Sequence, residues 1–174
     1  MTLRLSVVSL CAVCLWLACR KPDEQASRLL QQAEEALARQ QWEQAFDRAR
    51  QAASVAGISE ALRHQAHLKE EQARRELQAQ SQYARFVGAL DTDPDTAVRA
   101  YRDLPEGSFY RQQGREAFER ILPQYISDHL ERAEQAFQHG RCQDGTAELQ
   151  LVLEVDATNA RAQALRGKGC SPAR

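Results

Sequence analysis

The sequence predicts an all-α protein built as an array of antiparallel helix pairs around one long central helix. Three observations carry that prediction. Apolar residues recur at spacings of three and four along the chain, the period of an amphipathic helix rather than a strand. Aromatic residues make up only 6% of the chain while charged ones make up 27%, so the core must be built from Ala, Leu and Val. Small side chains of that kind suit close helix–helix contact. No alternating strand pattern, hairpin dipeptide or βαβ alternation interrupts the helical period.

The N-terminal segment differs from the rest. After Arg4, the stretch Leu5–Ala18 carries no charge and, at about 1.5 Å per residue, reaches only about 21 Å. That is short of a hydrocarbon core of about 30 Å and fits the apolar region of a secretory signal peptide. It ends in Leu17-Ala18-Cys19-Arg20. A small residue directly before a cysteine at this place resembles the lipobox of bacterial lipoproteins, with Trp16 standing where that family has Leu. The resemblance implies a lipoprotein signal peptide over 1–18, cleavage before Cys19 and a lipid on Cys19. Plain secretion, an uncleaved short anchor and a buried first helix are the alternatives. Residues 19–26 then read as a polar tether, 27–170 as the helical domain and 171–174 as a tail.

The helices follow in order. Leu29, Leu30, Ala33, Ala36 and Leu37 make one apolar face, and Trp42, Ala45, Phe46, Ala49 and Ala52 a second, after a break near Gln40-Gln41. Gly57 ends that helix and Ser59 caps the next. Residues 60–90 hold neither Pro nor Gly before Gly88, with Leu62, Ala66, Ala73, Leu77, Ala84 and Val87 on one stripe, so they form one long helix or two with a bend. Asp93 and Pro94 restart the chain as N-cap and first helical residue, and Pro105 stops that helix near Leu104. Ser108 caps a helix that includes Phe109, Phe118 and Leu122. Pro123 either kinks it or begins another, which runs through Ile126, Leu130, Ala133 and Phe137 to Gly140. Helices over Gln143–Glu154 and Ala160–Arg166 close the chain, the last stopped by Gly167.

The chain also repeats itself. Ser27, Leu30, Ala33, Glu34, Ala36 and Val55 recur as Ser127, Leu130, Ala133, Glu134, Ala136 and Val155, with Leu37 matched by Phe137, Ala45 by Gly145 and Ala52 by Val152. The recurring Ala33/Ala133, Ala36/Ala136 and Ala45/Gly145 are small residues, of the kind found where two helices approach closely. This pattern resembles a tetratricopeptide repeat, in which Ala33 and Ala133 pack near the turn residues Trp42 and Cys142, and Ala45 and Gly145 open the second helix. Ala157 stands where that family has Pro. A degenerate middle unit centres on Ala97, Tyr101 and Leu104. The resemblance implies a solenoid whose helix pairs stack to bury a continuous core. It also implies a partner groove lined by first helices, here by Leu30, Glu34 and Leu37, then Leu130, Glu134 and Phe137.

On the lipoprotein resemblance, Cys11 and Cys14 would leave with the signal peptide and Cys19 would carry lipid, so Cys142 and Cys170 would remain as an even pair outside the cytoplasm. They read as a disulfide pinning the terminal cap, against two free thiols. Neither has the spacing of a zinc ligand. His64 and His67 share a helix face but lack further ligands, and His129 and His139 each stand alone as surface residues. Asp91, Asp93 and Asp95 lack the glycine and glutamate of a calcium loop. No metal, cofactor or small-molecule substrate is expected, and no catalytic motif is present. The 23 basic and 24 acidic residues are interspersed, which argues against nucleic acid. The sequence therefore points to a non-enzymatic, membrane-tethered adaptor that binds proteins of the cell envelope. The lipoprotein resemblance, with Arg20 after the lipidated cysteine, implies an outer-membrane lipoprotein facing the periplasm; without the lipid the chain would be periplasmic or secreted. A self-associating structural spacer built on the helix over 60–90 is the alternative.

Overall fold

The computed structural model describes residues 21–168. Among the described residues there are seven α-helices and no strand: α1 (Pro22–Ala38), α2 (Trp42–Ala53), α3 (Glu60–Ala89), α4 (Pro94–Arg102), α5 (Phe109–Gln138), α6 (Cys142–Val155) and α7 (Ala160–Lys168). The protein is all-α. The signal peptide 1–18, Cys19, Cys170 and the tail 171–174 lie outside the described residues. The chain divides into two compact units, the first ending at Ser81 and the second beginning at Gln82.

In the first unit α1 starts earlier than expected. Pro22 takes the first helical position, Asp23 and Glu24 sit in the first turn, and Ala26 is fully buried. The segment expected to be a tether is therefore helical from Pro22 onward. A proline preset to helical φ, followed by two acids at the positive end of the helix dipole, favours this start. Asp23 also accepts a hydrogen bond from the backbone N–H of Ser59 at 2.8 Å, tying this turn to the start of α3. Leu30, Ala52 and Ala66 form one buried layer between α1, α2 and α3, and Ala36, Ala45 and Ala73 form the next. α2 ends at Ala53, before the left-handed Gly57 that was expected to stop it.

α3 is one unbroken helix of 30 residues, without the bend left open by the sequence. Its apolar stripe is not the expected one throughout. Ala66 and Ala73 are buried, but Ala84 and Val87 are exposed, and Ala79, Phe86 and Ala89 are buried instead. The bulk of Phe86 decides the matter, since burying one aromatic ring outweighs burying an alanine methyl.

In the second unit Asp93 and Ser108 cap α4 and α5 as expected, accepting from the backbone N–H of Thr96 and of Arg111, each at 3.1 Å. α5 is continuous through Pro123 and as long as α3, so the described chain has two long helices where one was expected. Pro123 is exposed, and water can satisfy the carbonyl that its missing N–H leaves without a donor. Tyr101 stacks on Phe118 with ring centroids 4.1 Å apart, and Phe86 packs against Tyr101 at 5.3 Å. Gly114 lets α5 approach this cluster, because a Cβ there would come within 3.0 Å of Phe86 Cε1. Arg111 donates to the carbonyls of Leu104 and Arg102 at 2.6 and 3.3 Å, closing the C-terminal end of α4. Leu130, Ala133, Leu149, Val152 and Ala162 form the core between α5, α6 and α7. Asn159 accepts from the N–H of Ala162 at 3.0 Å and begins α7, which includes Gly167 rather than stopping at it.

Candidate functional site

The sequence repeat is a repeat of local structure. Between α1 and α2, Gln40 N–H donates to the Leu37 carbonyl at 3.0 Å and Gln41 N–H to the Ala36 carbonyl at 2.9 Å. Between α5 and α6, Gly140 N–H donates to the Phe137 carbonyl at 3.0 Å and Arg141 N–H to the Ala136 carbonyl at 2.8 Å. Both are the doubly bonded helix end that needs a left-handed residue. That residue is Gln40 with φ 60° in one turn and Gly140 with φ 70° in the other. A side chain in that region costs about 1 kcal/mol relative to glycine.

The six residues expected to line a groove are placed as follows in these hairpins. Leu30 and Leu130 are buried in the two hairpin cores, at 7% and 4% exposure. Phe137 is half-buried against the same core as Leu130, and Leu37 against the neighbouring layer of Ala36, Ala45 and Ala73. Glu34 reaches Lys69 Nζ on α3 at 3.1 Å, and Glu134 is held by Arg161 of α7 through both carboxylate oxygens at 2.9 Å. The matching glutamates thus clasp the helix that follows each pair. The sequence missed this because it shows a residue's helix face but not which later helix covers it.

The second unit holds a polar centre that the sequence reading placed on the surface. His129 is fully buried, not a lone surface residue. Its Nδ1 lies 2.5 Å from Glu148 Oε2 of α6, and its Nε2 lies 3.2 Å from Asp95 Oδ1 of α4. Ionised carboxylates only accept, so both contacts are satisfied when both ring nitrogens carry hydrogen. Arg132, one turn further along α5, reaches Asp95 at 3.3 Å and Glu148 at 3.8 Å. Burial works against the Arg132 charge, but the hydrogen bond to Asp95 and the nearby carboxylates of Asp95, Glu148 and Asp128 hold its proton more tightly overall. Tyr125 packs edge-on to the imidazole at 4.2 Å between ring centroids. Burial, reinforced by the charge of Asp95, pushes the Tyr125 phenol above its ordinary range. Near the other end of α4, Arg102 pairs with Glu154 of α6 at 2.5 Å, which lowers the Glu154 carboxyl.

This arrangement joins three helices around one imidazole. The ring has no solvent contact, and in this arrangement it acts as a clamp between α4, α5 and α6. The signal for it was in the sequence. His129 is spaced four residues from both Tyr125 and Ala133, on the buried stripe of α5.

A third feature lies in the first unit. Gln40, Gln41, Trp42, Glu43 and Gln44, at the hairpin turn and the start of α2, enclose a shallow depression with Leu77 and Gln80 of α3. A second depression, in the second unit, is lined by Cys142, Gln143, Thr146, Ala147 and Gln150.

No described helix is long and apolar enough to cross a membrane. Among the described residues there is no cluster of His, Cys, Asp and Glu arranged to hold a metal ion. Compared with known proteins, the chain matches no family model, no curated protein and no solved structure.

Proposed function

We propose that this chain is a lipid-anchored adaptor of the bacterial cell envelope, fixed through Cys19 and binding partner proteins on a stack of tetratricopeptide-like helix pairs. The reading places it at the outer membrane facing the periplasm, as an accessory to an assembly, secretion, pilus or motility complex. The observation that carries it is the repeated hairpin. Two helix pairs share the two hydrogen bonds that close their turn and a glutamate that clasps the next helix. Repeats of this kind supply rigid, extended surface for binding rather than an enclosed reaction site. The lipobox-like Leu17-Ala18-Cys19 supports the anchor. The exposed faces of α1 and α2, rather than Leu30 and Leu130, are then the surface offered to a partner.

The test uses the full chain in its own membrane. Palmitate labelling should mark the wild type and not Cys19→Ser, and in-membrane crosslinking should join the chain to other envelope proteins. A chain that takes no lipid, or that crosslinks only to copies of itself, would overturn the adaptor. The second result would favour a self-associating spacer built on the 30-residue α3.

A further inference from the structure

α1 begins where a spacer was expected. Pro22 is its first residue, and this first turn is packed onto the unit. A Cβ on Gly57 would lie 3.6 Å from Pro22 Cγ, and Asp23 accepts from the backbone N–H of Ser59 at 2.8 Å. One turn further on, Ala26 is fully buried. The fold therefore starts at the third residue after Cys19. Three steps of about 3.8 Å let Cys19 and Pro22 stand at most about 11 Å apart. Each headgroup layer of a bilayer is about 5–8 Å deep, so a lipid on Cys19 leaves a gap of at most about 3–6 Å below this end of the unit.

The composition of that end agrees with the placement. The contacts of Gly57 and Ser59 bring the loop Ser54-Val55-Ala56-Gly57-Ile58-Ser59 beside the start of α1, and the loop carries no charge. Ser54, Ala56, Gly57 and Ser59 are exposed. Small uncharged side chains enter a headgroup layer without desolvating an ion. The charged residues around the loop are Lys21, Asp23, Glu24 and the Glu60–Arg63 pair, both signs together, as zwitterionic headgroups present them. The flanks of the unit differ. Arg28, Gln32 and Glu35 on α1 and Glu43, Asp47 and Gln51 on α2 are exposed. Neither helix keeps an apolar stripe with which to lie in the plane of the interface.

We propose that the first unit stands on the bilayer by this end, with the loop 54–59 among the lipid headgroups. The α1–α2 turn then lies about 25 Å farther out, the rise of the 17-residue α1. Cys19 is the end of a short strap, not of a tether. The proposal rests on the lipid-anchor reading and adds which end of the unit meets the membrane.

The experiment reconstitutes the lipidated full chain in vesicles of phosphatidylethanolamine and phosphatidylglycerol, with and without a lipid that carries a nitroxide on its headgroup. Beyond the expected signal peptide Trp42 is the only tryptophan, and it starts α2 at the far turn. The nitroxide should leave the wild-type emission unchanged. Ala56→Trp adds an indole to the exposed loop, and the added emission should be lost to the nitroxide. A linker of about twenty Gly/Ser residues after Arg20, with a reach of about 25 Å, should restore it. Quenching of Trp42, no quenching in Ala56→Trp, or quenching that survives the linker would each overturn the placement. An added emission that is blue-shifted yet unquenched would put a protein surface on the loop and overturn it as well. Flotation of the same vesicles separates the two readings. If the wild type floats and gives one of these results, the placement falls and the anchor stands. If the wild type does not float, the anchor itself falls.

Discussion

The ring of Phe137 lies against the backbone of Gly145, so close that a Cβ on Gly145 would come within 2.6 Å of Phe137 Cε1. At the matching place in the first unit Leu37 lies in the layer that contains Ala45. The two hairpins hold the same helix approach with different volumes, a larger ring against a glycine and a smaller side chain against an alanine. Overpacking a filled contact costs about 1–3 kcal/mol, so Gly145→Ala should destabilise the chain by about that much. Phe137→Leu combined with Gly145→Ala recreates the pair of the first hairpin and should recover most of the loss. Urea denaturation of the four-member cycle measures this. A double variant whose cost is the sum of the singles would show that the two residues are not coupled.

His129 makes a prediction of a different kind. With the imidazole replaced by an apolar side chain of similar size, Asp95 and Glu148 would face each other across α5 with only Arg132 between them. Both carboxylates are partly exposed, at 39% and 24%, and can turn toward water, which limits the damage. His129→Leu should therefore cost about 2–3 kcal/mol, below the figure for a wholly buried pair. Adding Asp95→Asn and Glu148→Gln to that background should return part of it. If His129→Leu melts with the wild type, the imidazole is not a clamp.

How much of this was legible varies element by element. The caps Asp93 and Ser108 act through neighbours three residues away, and local chemistry of that range is written in the chain. Continuity through Pro123 was not, because it depends on which side of α5 meets solvent. The stripe of α3 was read correctly as far as Ala73 and wrongly at Ala84 and Val87, since an alanine-rich helix offers several faces of similar hydrophobicity and the packing partner chooses among them. The glutamates at 34 and 134 were correctly paired with each other as repeats. Their clasping of Lys69 and Arg161 requires contacts 35 and 27 residues distant that no local period encodes. His129 was missed for a simpler reason. A histidine with no ligand-like neighbour was read as a lone surface residue, when its spacing from Tyr125 and Ala133 placed it inside.

The acid limb of stability should reflect the caps. The hydroxyl of Thr96, then its backbone N–H, stabilises the Asp93 carboxylate and lowers its pKa. Asn159 and then Thr158 do the same for Asp156. A carboxyl with a lowered folded pKa adds stability above its unfolded value, about 3.9, and loses it as pH falls through the folded value. Asp93→Asn keeps a capping acceptor but cannot titrate, so its loss of stability as the pH falls below about 4 should be shallower than that of the wild type. Helical circular dichroism against pH at fixed temperature reads the difference. Superimposable acid profiles would assign the acid limb to other carboxylates.

The last prediction concerns the terminal cap. Cys142 is the first residue of α6, in the turn that follows the left-handed Gly140, and the proposed partner Cys170 follows shortly after α7 ends at Lys168. A bond between them would close a loop of about 28 residues and hold α7 on the hairpin, stabilising the fold by roughly 3–4 kcal/mol. Otherwise α7 is held by the buried Ala162, the partly buried Leu165 and the clasp of Arg161 on Glu134, a small apolar contact for a terminal helix. Reductant should therefore lower the melting temperature of the wild type and leave Cys142→Ser/Cys170→Ser unchanged, with the reduced wild type and the double variant melting together. Thiol counting on the unfolded, unreduced chain gives the independent check. If both cysteines react there, the helix is pinned by its packing alone.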